Sequence, residues 1–230
     1  MNFERFTHLT FDCYGTLIDW ETGILDVLMP RLACKGAAAT EEEVLRLYTR
    51  FEADEEAGDY KPYRVVLEEV AGRIAAEFGV ELSPEERLAL PRSVGQWPPF
   101  HDTVAALKQL KTRFKLVILS NIDDALFAPS NTLLRVSFEE IITAEQLRSY
   151  KPRKAHFEAA LSRLAVPKEQ ILHVAQSLFH DHVPAKELGF SSVWINRPSR
   201  LPGTGLSPSA NVRPDLELAD LQSLVRAAMG

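Results

Sequence analysis

The hydrophobic pattern of this chain changes character twice, and each change predicts a different kind of structure. Near the amino terminus, Phe6, Leu9 and Phe11 follow a half-buried strand pattern that leads directly into Asp12. From about residue 100 onward, short apolar runs alternate with stretches of helical spacing. The later strands are predicted over 115–121, 139–142, 171–175 and 192–195, with a strand-to-helix unit over 215–229. This alternation predicts an α/β fold whose core is a doubly wound, Rossmann-like parallel sheet.

Residues 19–96, between these two regions, carry four consecutive helical patterns and few strand signals. Thr40 begins a capping box, Gly79 ends the third pattern, and Ser83 caps the fourth. Pro30 lies inside the first pattern and is expected to kink or break that helix. We predict a helical bundle over 19–96, inserted into a core formed by 1–18 and 97–230. Within that core, the Pro-, Gly- and Ser-rich stretch 197–208 is predicted to be a surface loop.

Composition and charge narrow the function classes. The chain has 230 residues, 46% hydrophobic and 25% charged, with a formal net charge of −6. This charge gives no electrostatic reason to expect nucleic acid or an anionic membrane as a partner, and an anionic substrate would need a local positive pocket. Cys13 and Cys34 do not make a disulfide framework, and no signal peptide or bilayer-spanning run is visible. We therefore expect a cytoplasmic protein.

Polar residues follow four of the predicted strands. Because the carboxyl ends of parallel strands meet at one rim, these residues are expected to converge on a single site. Taken singly, each has a plainer interpretation as a helix cap, a solvated lysine or a helix-surface acid. The residues are Asp12 with Thr16, Ser120 with Asn121, Lys151, and Gln176 and Ser177 with Asp181.

This ordered set resembles the four motifs of the haloacid dehalogenase superfamily over essentially the whole chain. The run Phe11-Asp12-Cys13-Tyr14-Gly15-Thr16-Leu17, followed by Ser120-Asn121 and Lys151, is most similar to the 2-haloacid dehalogenase branch. The resemblance implies that Asp12 is a covalent nucleophile and that the helical insertion is a cap domain. It also implies a small carboxylate substrate and a homodimer. Phosphatases of the superfamily usually carry a second aspartate where this chain has Tyr14.

The chemistry assigns a role to each residue of the set. Asp12 is predicted to attack the α-carbon of a short 2-haloacid and form an ester, which water then hydrolyses. Lys151 is expected to lower the pKa of Asp12, and Asp181 to act as base for the water. The substrate-binding residues predicted on the core, which orient Asp12, hold the substrate or receive the halide, are Tyr14, Thr16, Ser120, Asn121, Gln176 and Ser177.

Dehalogenases of this branch normally add a cap arginine to the halide and substrate site. Arg46, Arg50 and Arg64 are available here, and the aromatic neighbours of Arg50 and Arg64 make these two the predicted substrate contacts. A surface salt bridge is the alternative for each of them. The fourth motif also departs from the branch, since it reads Ala175-Gln176-Ser177 where the branch usually has Ser-Ser-Asn.

Two other functions stay open at this point. A Mg²⁺-dependent phosphatase of small metabolites would need an acid where Gln176 stands, although Asp12 and Asp181 could still hold a metal. A non-catalytic small-molecule binding protein on the same scaffold is the other alternative. His180 and His182 flank Asp181, but adjacent helical residues point to different sides, so we predict no metal site and no cofactor.

Overall fold

The computed structural model describes residues 1–199 and 210–230. Within these ranges the sheet has six strands in the order β3-β2-β1-β4-β5-β6, and every neighbouring pair is parallel. This arrangement confirms the predicted doubly wound α/β fold. The strands are β1 His8–Phe11, β2 Lys115–Ser120, β3 Glu140–Thr143, β4 Ile171–Ala175, β5 Ser191–Ile195 and β6 Leu216–Leu218.

The strand order reverses between β1 and β4, and such a reversal opens a crevice at the carboxyl ends of the strands. Phe11 at the end of β1 pairs with Ile118 of β2 on one side and Val174 of β4 on the other. All residues of β1 and β4 are buried, as expected for central parallel strands covered on both faces. Asp12 therefore leaves the sheet at its centre, beside the crevice.

The segment between β1 and β2 begins with helices, as predicted. Its elements are α1 Trp20–Cys34, α2 Glu41–Ala57, α3 Tyr63–Glu77, α4 Pro84–Arg87, α5 Ala89–Ser93 and a 3₁₀ turn Val94–Gln96. Thr40 and Ser83 each form the predicted capping box. Pro30 does not break the helix, because α1 continues to Cys34. Pro30 lies in the last turns of α1, where its missing N–H removes one hydrogen bond near an end that is already open. The boundaries 18/19 and 96/97 between core and cap stay a prediction.

The other helices cover the two faces of the sheet. They are α6 Thr103–Leu110, α7 Asp124–Leu134, α8 Ala144–Leu147, α9 Ala155–Leu164, α10 Val183–Glu187 and α11 Leu221–Met229, with a 3₁₀ turn Lys168–Gln170 and a π-helical turn Leu178–His182. In the described ranges, no helix combines the length and apolar character needed to cross a bilayer.

The prediction of a surface loop over 197–208 was wrong for its first residue, Arg197. The side chain is buried, with its Nη2 3.0 Å from Asp102 Oδ1, and its Nε donates to the carbonyl oxygen of Thr16 at 2.8 Å. The ion pair and this hydrogen bond tie the start of the predicted loop to the turn that follows Asp12. Residues 200–208 of that loop lie outside the described residues.

Candidate active site

A cleft opens at the carboxyl ends of β1, β2 and β4, where residues of α1, α2 and α3 approach them. Its empty volume, open solvent included, is about 640 Å³. Most of the residues predicted from the sequence line it, namely Asp12, Tyr14, Ser120, Asn121, Lys151, Gln176, Ser177 and Asp181. The other lining residues are Trp20, Tyr48, Thr49, Glu52, Glu56, Tyr63, Trp97 and His180.

The turn after β1 fixes both oxygens of Asp12. Thr16 Oγ1 donates a hydrogen bond of 2.7 Å to Asp12 Oδ2, and Lys151 Nζ donates one of 2.9 Å to Oδ1. Thr16 Oγ1 also accepts a 2.9 Å hydrogen bond from the backbone N–H of Gln176, which couples this turn to the loop after β4. Gly15 makes the turn possible, because its φ of +94° is strained for any residue with a Cβ. The carboxylate is thus held in one orientation at the cleft.

Lys151 joins the carboxylates of Asp12 and Asp181. Its ammonium donates to Asp12 Oδ1 at 2.9 Å, to Asp181 Oδ1 at 2.7 Å and to the carbonyl oxygen of Leu119 at 2.9 Å, so all its protons are used. The side chain is 1% exposed. Although burial opposes it, the charges of Asp12 and Asp181 raise the pKa of Lys151, which therefore stays protonated.

Asp181 has one satisfied oxygen and one open oxygen. Its Oδ1 accepts hydrogen bonds from Lys151 and from His173 Nε2, at 2.7 and 3.1 Å. Oδ2 is buried and finds no hydrogen-bond partner within the described part of the chain. Burial favours the neutral acid, but Lys151 and His173 outweigh it and hold the pKa of Asp181 far below its usual range. The open oxygen belongs to an ionised carboxylate beside the cleft.

The pKa of Asp12 corrects an expectation from the sequence. Lys151 was expected to lower it, and its charge does act in that direction. Burial is the larger influence, and the nearby charge of Asp181 adds to it, so the pKa of Asp12 is raised above its ordinary value. A single ammonium shared by two carboxylates does not fully offset the loss of water around Asp12.

Asn121 has a different geometry from the one expected of a halide donor. Its Oδ1 accepts a 2.7 Å hydrogen bond from the backbone N–H of Lys151. Its Nδ2 donates to the carbonyl oxygen of Lys151 at 3.1 Å and to Glu56 Oε2 at 3.0 Å. Both amide hydrogens are therefore used, and Asn121 positions the backbone of Lys151 instead of presenting a free donor.

Three other predicted residues shape the site. Tyr14 lines the cleft, and its hydroxyl donates a hydrogen bond of 3.0 Å to Ser130 Oγ. Ser177 Oγ accepts a 3.0 Å hydrogen bond from the backbone N–H of His180 and so caps the π-helical turn that carries Asp181. Ser120 is buried at the end of β2 and lines the cleft.

Arg50 and Arg64 do not reach the cleft, which corrects their prediction as substrate contacts. Arg50 pairs with Glu77 at 2.8 Å and Arg64 with Glu68 at 3.7 Å, with arginine side chains 59% and 60% exposed. Arg50 lies two residues after Tyr48 on α2, and two residues turn a helix by about 200°, so its side chain leaves on the opposite face. Both arginines instead form surface salt bridges, which was the alternative for each of them.

Carboxylates take the place on α2 where an arginine was expected. Glu52 Oε1 accepts hydrogen bonds from the hydroxyls of Tyr48, at 2.9 Å, and Tyr63. Glu56 is buried, accepts from Asn121, and lies 3.9 Å from His180 Nε2. The sequence did carry a signal, because Tyr48, Glu52 and Glu56 recur every four residues and share one face of α2 with the apolar Val44 and Leu45.

The charges of these groups follow from burial. Burial raises the pKa of Glu52. Burial also raises the pKa of Glu56, and the charge of the nearby Glu52 adds to this effect. Burial lowers the pKa of His180 to about 4, so its imidazole is neutral near pH 7.

The residues fit a bound divalent metal poorly. The position where phosphatases of the superfamily have an acid is Gln176, and the ammonium of Lys151 lies between Asp12 and Asp181. The described ranges hold no group of three or more His, Cys, Asp or Glu side chains suited to a metal ion. Cys13 in the same turn is buried, and burial raises the pKa of its thiol, as expected of a small packing residue.

Comparisons with known proteins show the family and the fold of this chain. An (S)-2-haloacid dehalogenase of Pseudomonas sp. strain YL is 27% identical over 225 residues, covering 94% of this chain and 92% of that protein. The L-2-haloacid dehalogenase of Xanthobacter autotrophicus has the same fold, with a TM-score of 0.84 at 21% identity and coverage of 98% and 99%. The same enzyme with chloropropionic acid covalently bound gives a TM-score of 0.83 at 20% identity, again covering 98% and 99%. A family model described as haloacid dehalogenase-like hydrolase matches residues 6–178, from before β1 to the loop after β4, and this protein belongs to that family.

Proposed function

We propose that this protein is a hydrolytic dehalogenase that acts on short 2-haloacids through an ester on Asp12. The observation that carries the proposal is the bridge from Lys151 Nζ to Asp12 Oδ1 and Asp181 Oδ1, at 2.9 and 2.7 Å. It places a fixed carboxylate beside a second carboxylate that has an open oxygen. These are the groups that a nucleophilic displacement followed by ester hydrolysis requires.

In the first step an oxygen of Asp12 attacks the α-carbon of the substrate. The new carbon–oxygen bond forms as the carbon–halogen bond breaks, and the halide leaves with the bonding electron pair. Thr16 and Lys151 hold Asp12 in a fixed orientation, which lowers the entropic cost of reaching the reactive geometry. Because a halide leaves without protonation, Tyr14 in place of a general acid suits this reaction.

In the second step water attacks the carboxyl carbon of the ester. Asp181 Oδ2, ionised and without a partner in the described ranges, accepts the proton of that water. The carbon–oxygen bond between the ester carboxyl and its alkoxy oxygen breaks, that oxygen takes up the proton held by Asp181, and the 2-hydroxyacid departs. Asp12 regains a carboxylate in which one oxygen came from water. The sum is one organohalide and one water converted to one hydroxyacid, one halide and one proton.

The relatives support this reaction over phosphate hydrolysis. The named dehalogenases act, by their names, on (S)- or L-2-haloacids, and the Xanthobacter enzyme has been captured with chloropropionic acid bound covalently. A phosphatase would need a general acid where Tyr14 stands and a metal-binding acid where Gln176 stands. We extend the S preference to this protein as part of the proposal.

Halide release measured by ion chromatography tests the proposal. We expect the purified protein to release chloride from (S)-2-chloropropionate faster than from the R enantiomer, without added metal. Asp12→Ala should lower the rate by about a thousandfold or more. Asp26→Asn, on the exposed side of α1, is the matched control and should retain the rate. Unchanged release by Asp12→Ala, or release of phosphate instead of halide, contradicts the proposal.

The cytoplasmic location and the homodimer stay predictions from the sequence. Light scattering during size-exclusion chromatography tests the homodimer, for which a mass of twice 25.8 kDa is expected.

A further inference from the structure

The cleft has very little positive charge to offer an anionic substrate. Among the described residues that line it, Lys151 is the one lysine or arginine, and its three protons are taken by Asp12, Asp181 and the carbonyl oxygen of Leu119. His180 also lines the cleft, but burial lowers its pKa to about 4. No cation is left to pair with a substrate from the helical side.

That side carries two carboxylates instead. Glu52 is held by the hydroxyls of Tyr48 and Tyr63, and Glu56 by the amide of Asn121. Both glutamates line the cleft together with the catalytic carboxylates on the sheet side. Burial raises the pKa of both glutamates, and a bound cation favours their ionised form, so the pair attracts cations and N–H donors.

Aromatic rings complete this lining. Trp20 packs against Tyr48 with ring centroids 5.3 Å apart, and Tyr14 meets Trp97 edge to face at 5.7 Å. All four residues line the cleft, as does Tyr63. The faces of tryptophan and tyrosine rings attract organic cations through their quadrupoles, and aromatic cages with carboxylates bind quaternary ammonium groups.

Asp181, whose Oδ2 is assigned above to the hydrolytic water, adds to the negative charge of the cleft. It is fully buried, it lines the cleft, and its Oδ2 lacks a hydrogen-bond partner throughout the described ranges. A buried ionised oxygen without a donor is costly, so a bound molecule that brings a donor or a positive charge relieves that cost.

We propose that the cleft selects a halogenated substrate that also carries an organic cation, recognised by Glu52, Glu56 and the aromatic walls. This inference rests on the proposed dehalogenase function and narrows its substrate class. The 2-haloacid group reacts at Asp12, while an ammonium or quaternary ammonium group lies between the helical carboxylates. The zwitterion brings its own positive charge into a cleft that a simple haloacid enters as an anion.

Cation binding at Glu56 is coupled to the protonation of its carboxyl group. Glu52 and Lys151 act on it through their charges, Asn121 donates to it, and neutral His180 lies nearby. Its pKa is raised in the empty cleft, so a bound cation would favour the ionised form and release a proton. Binding of the cation is therefore expected to strengthen as the pH rises.

A matched pair of substrates tests the proposal through turnover. The two substrates differ only in their tails. The charged member, 2-chloro-4-(trimethylammonio)butanoate, has a cationic tail, and the neutral isostere, 2-chloro-5,5-dimethylhexanoate, has an uncharged tail. We expect kcat/KM to favour the charged member by about tenfold or more. Glu56→Gln and Glu52→Gln should each reduce that ratio several-fold, while Glu77→Gln, whose partner is Arg50 at the surface, should leave it unchanged. A wild-type ratio of one or less, or a ratio that neither cleft variant alters, overturns the proposal.

A binding measurement separates this inference from the proposed function. Calorimetric titration compares the halogen-free probes 4-(trimethylammonio)butanoate and 5,5-dimethylhexanoate, which need no turnover. Tighter binding of the charged probe, lost in Glu56→Gln and retained in Glu77→Gln, supports the cation site even if no halide is released from any substrate. Equal or tighter binding of the neutral probe overturns the cation site, even if 2-chloropropionate is dehalogenated.

Discussion

Asn121 and Glu56 are joined by a hydrogen bond of 3.0 Å from Nδ2 to Oε2, which links the end of β2 to helix α2 across the cleft. The same amide holds the backbone of Lys151 through its Oδ1 and Nδ2, at 2.7 and 3.1 Å. One side chain therefore orders both the lysine that bridges Asp12 and Asp181 and an acid on the opposite wall.

Replacing Asn121 by Asp should disturb both relationships. The new carboxylate would face the carbonyl oxygen of Lys151 and the carboxyl group of Glu56. The donating amide is then replaced by an oxygen that repels both of these acceptors. We expect the free energy of unfolding to fall by about 1–3 kcal/mol, and kcat/KM to fall at least tenfold. Urea denaturation and halide release measure the two effects. Asn196→Asp is the control, because Asn196 donates to Glu217 at 2.8 Å on an exposed part of the surface. Equal stability losses in the two variants would contradict the assigned role.

Lys151 should be the most costly of these polar groups to remove. Lys151→Met leaves Asp12 and Asp181 buried without their shared counter-charge, and breaking a buried ion pair costs about 3–5 kcal/mol. Activity should be lost as well. Adding Asp181→Asn to this variant removes one of the unpaired charges and should restore part of the unfolding free energy, without restoring activity. Lys115→Met, which removes an exposed pair with Glu139, should cost little. A mild effect of Lys151→Met at neutral pH would argue against the bridge.

The raised pKa of Glu56 predicts a pH dependence of stability. Its folded-state pKa lies well above the unfolded value of 4.5, so the folded protein binds more protons than the unfolded chain. Glu56 therefore reduces stability increasingly as the pH rises above about 4.5. Glu56→Gln cannot ionise, and its stability relative to wild type should rise in urea denaturation as the pH increases above about 5.

Glu86 provides the opposite case as a control. Hydrogen bonds from Ser83, the largest cause, lower its pKa to about 2, so its contribution is present above the unfolded value of 4.5 and is lost as the pH falls. Glu86→Gln should therefore show a constant difference from wild type between about pH 5 and pH 8. If Glu56→Gln shows the same flat profile, Glu56 is ionised in the folded state and the assignment is wrong.

Gly15 should tolerate no side chain. At its φ of +94° any residue with a Cβ is strained, and that Cβ would lie 2.9 Å from Trp20 Nε1. Gly36 has a similar φ of +83° but open space around it, so Gly36→Ala carries the backbone cost alone. We expect Gly15→Ala to lower the melting temperature more than Gly36→Ala and to reduce kcat at least tenfold, since the turn positions Asp12. Similar losses of melting temperature, with full activity in both, would contradict this prediction.

The core half of the site could be predicted because its residues follow buried strands. Asp12 and Gln176 come directly after β1 and β4, and Ser120 is the last residue of β2; a parallel sheet brings such positions to one edge whatever the details of packing. Lys151 lies further from its strand, in the loop after α8, and its place in the site depended on the resemblance to a family.

The helical half was less predictable, because the face that each helix turns toward the sheet is set by tertiary packing. Arg50 was chosen for its aromatic neighbours, yet the periodicity of α2 already placed Tyr48, Glu52 and Glu56 on its buried side. The expectation for Asn121 failed for a related reason. Its donors bind Glu56 and the backbone of Lys151, which are distant in the sequence and meet only in the fold.

The most direct test of the central claim follows the oxygen atom of water through one turnover. With the protein in excess over (S)-2-chloropropionate in H₂¹⁸O, an ester on Asp12 predicts that ¹⁸O appears in the peptide containing Asp12. The first lactate formed should then carry none at its hydroxyl. If that hydroxyl carries ¹⁸O while Asp12 stays unlabelled, water attacks the substrate directly and the covalent mechanism is contradicted.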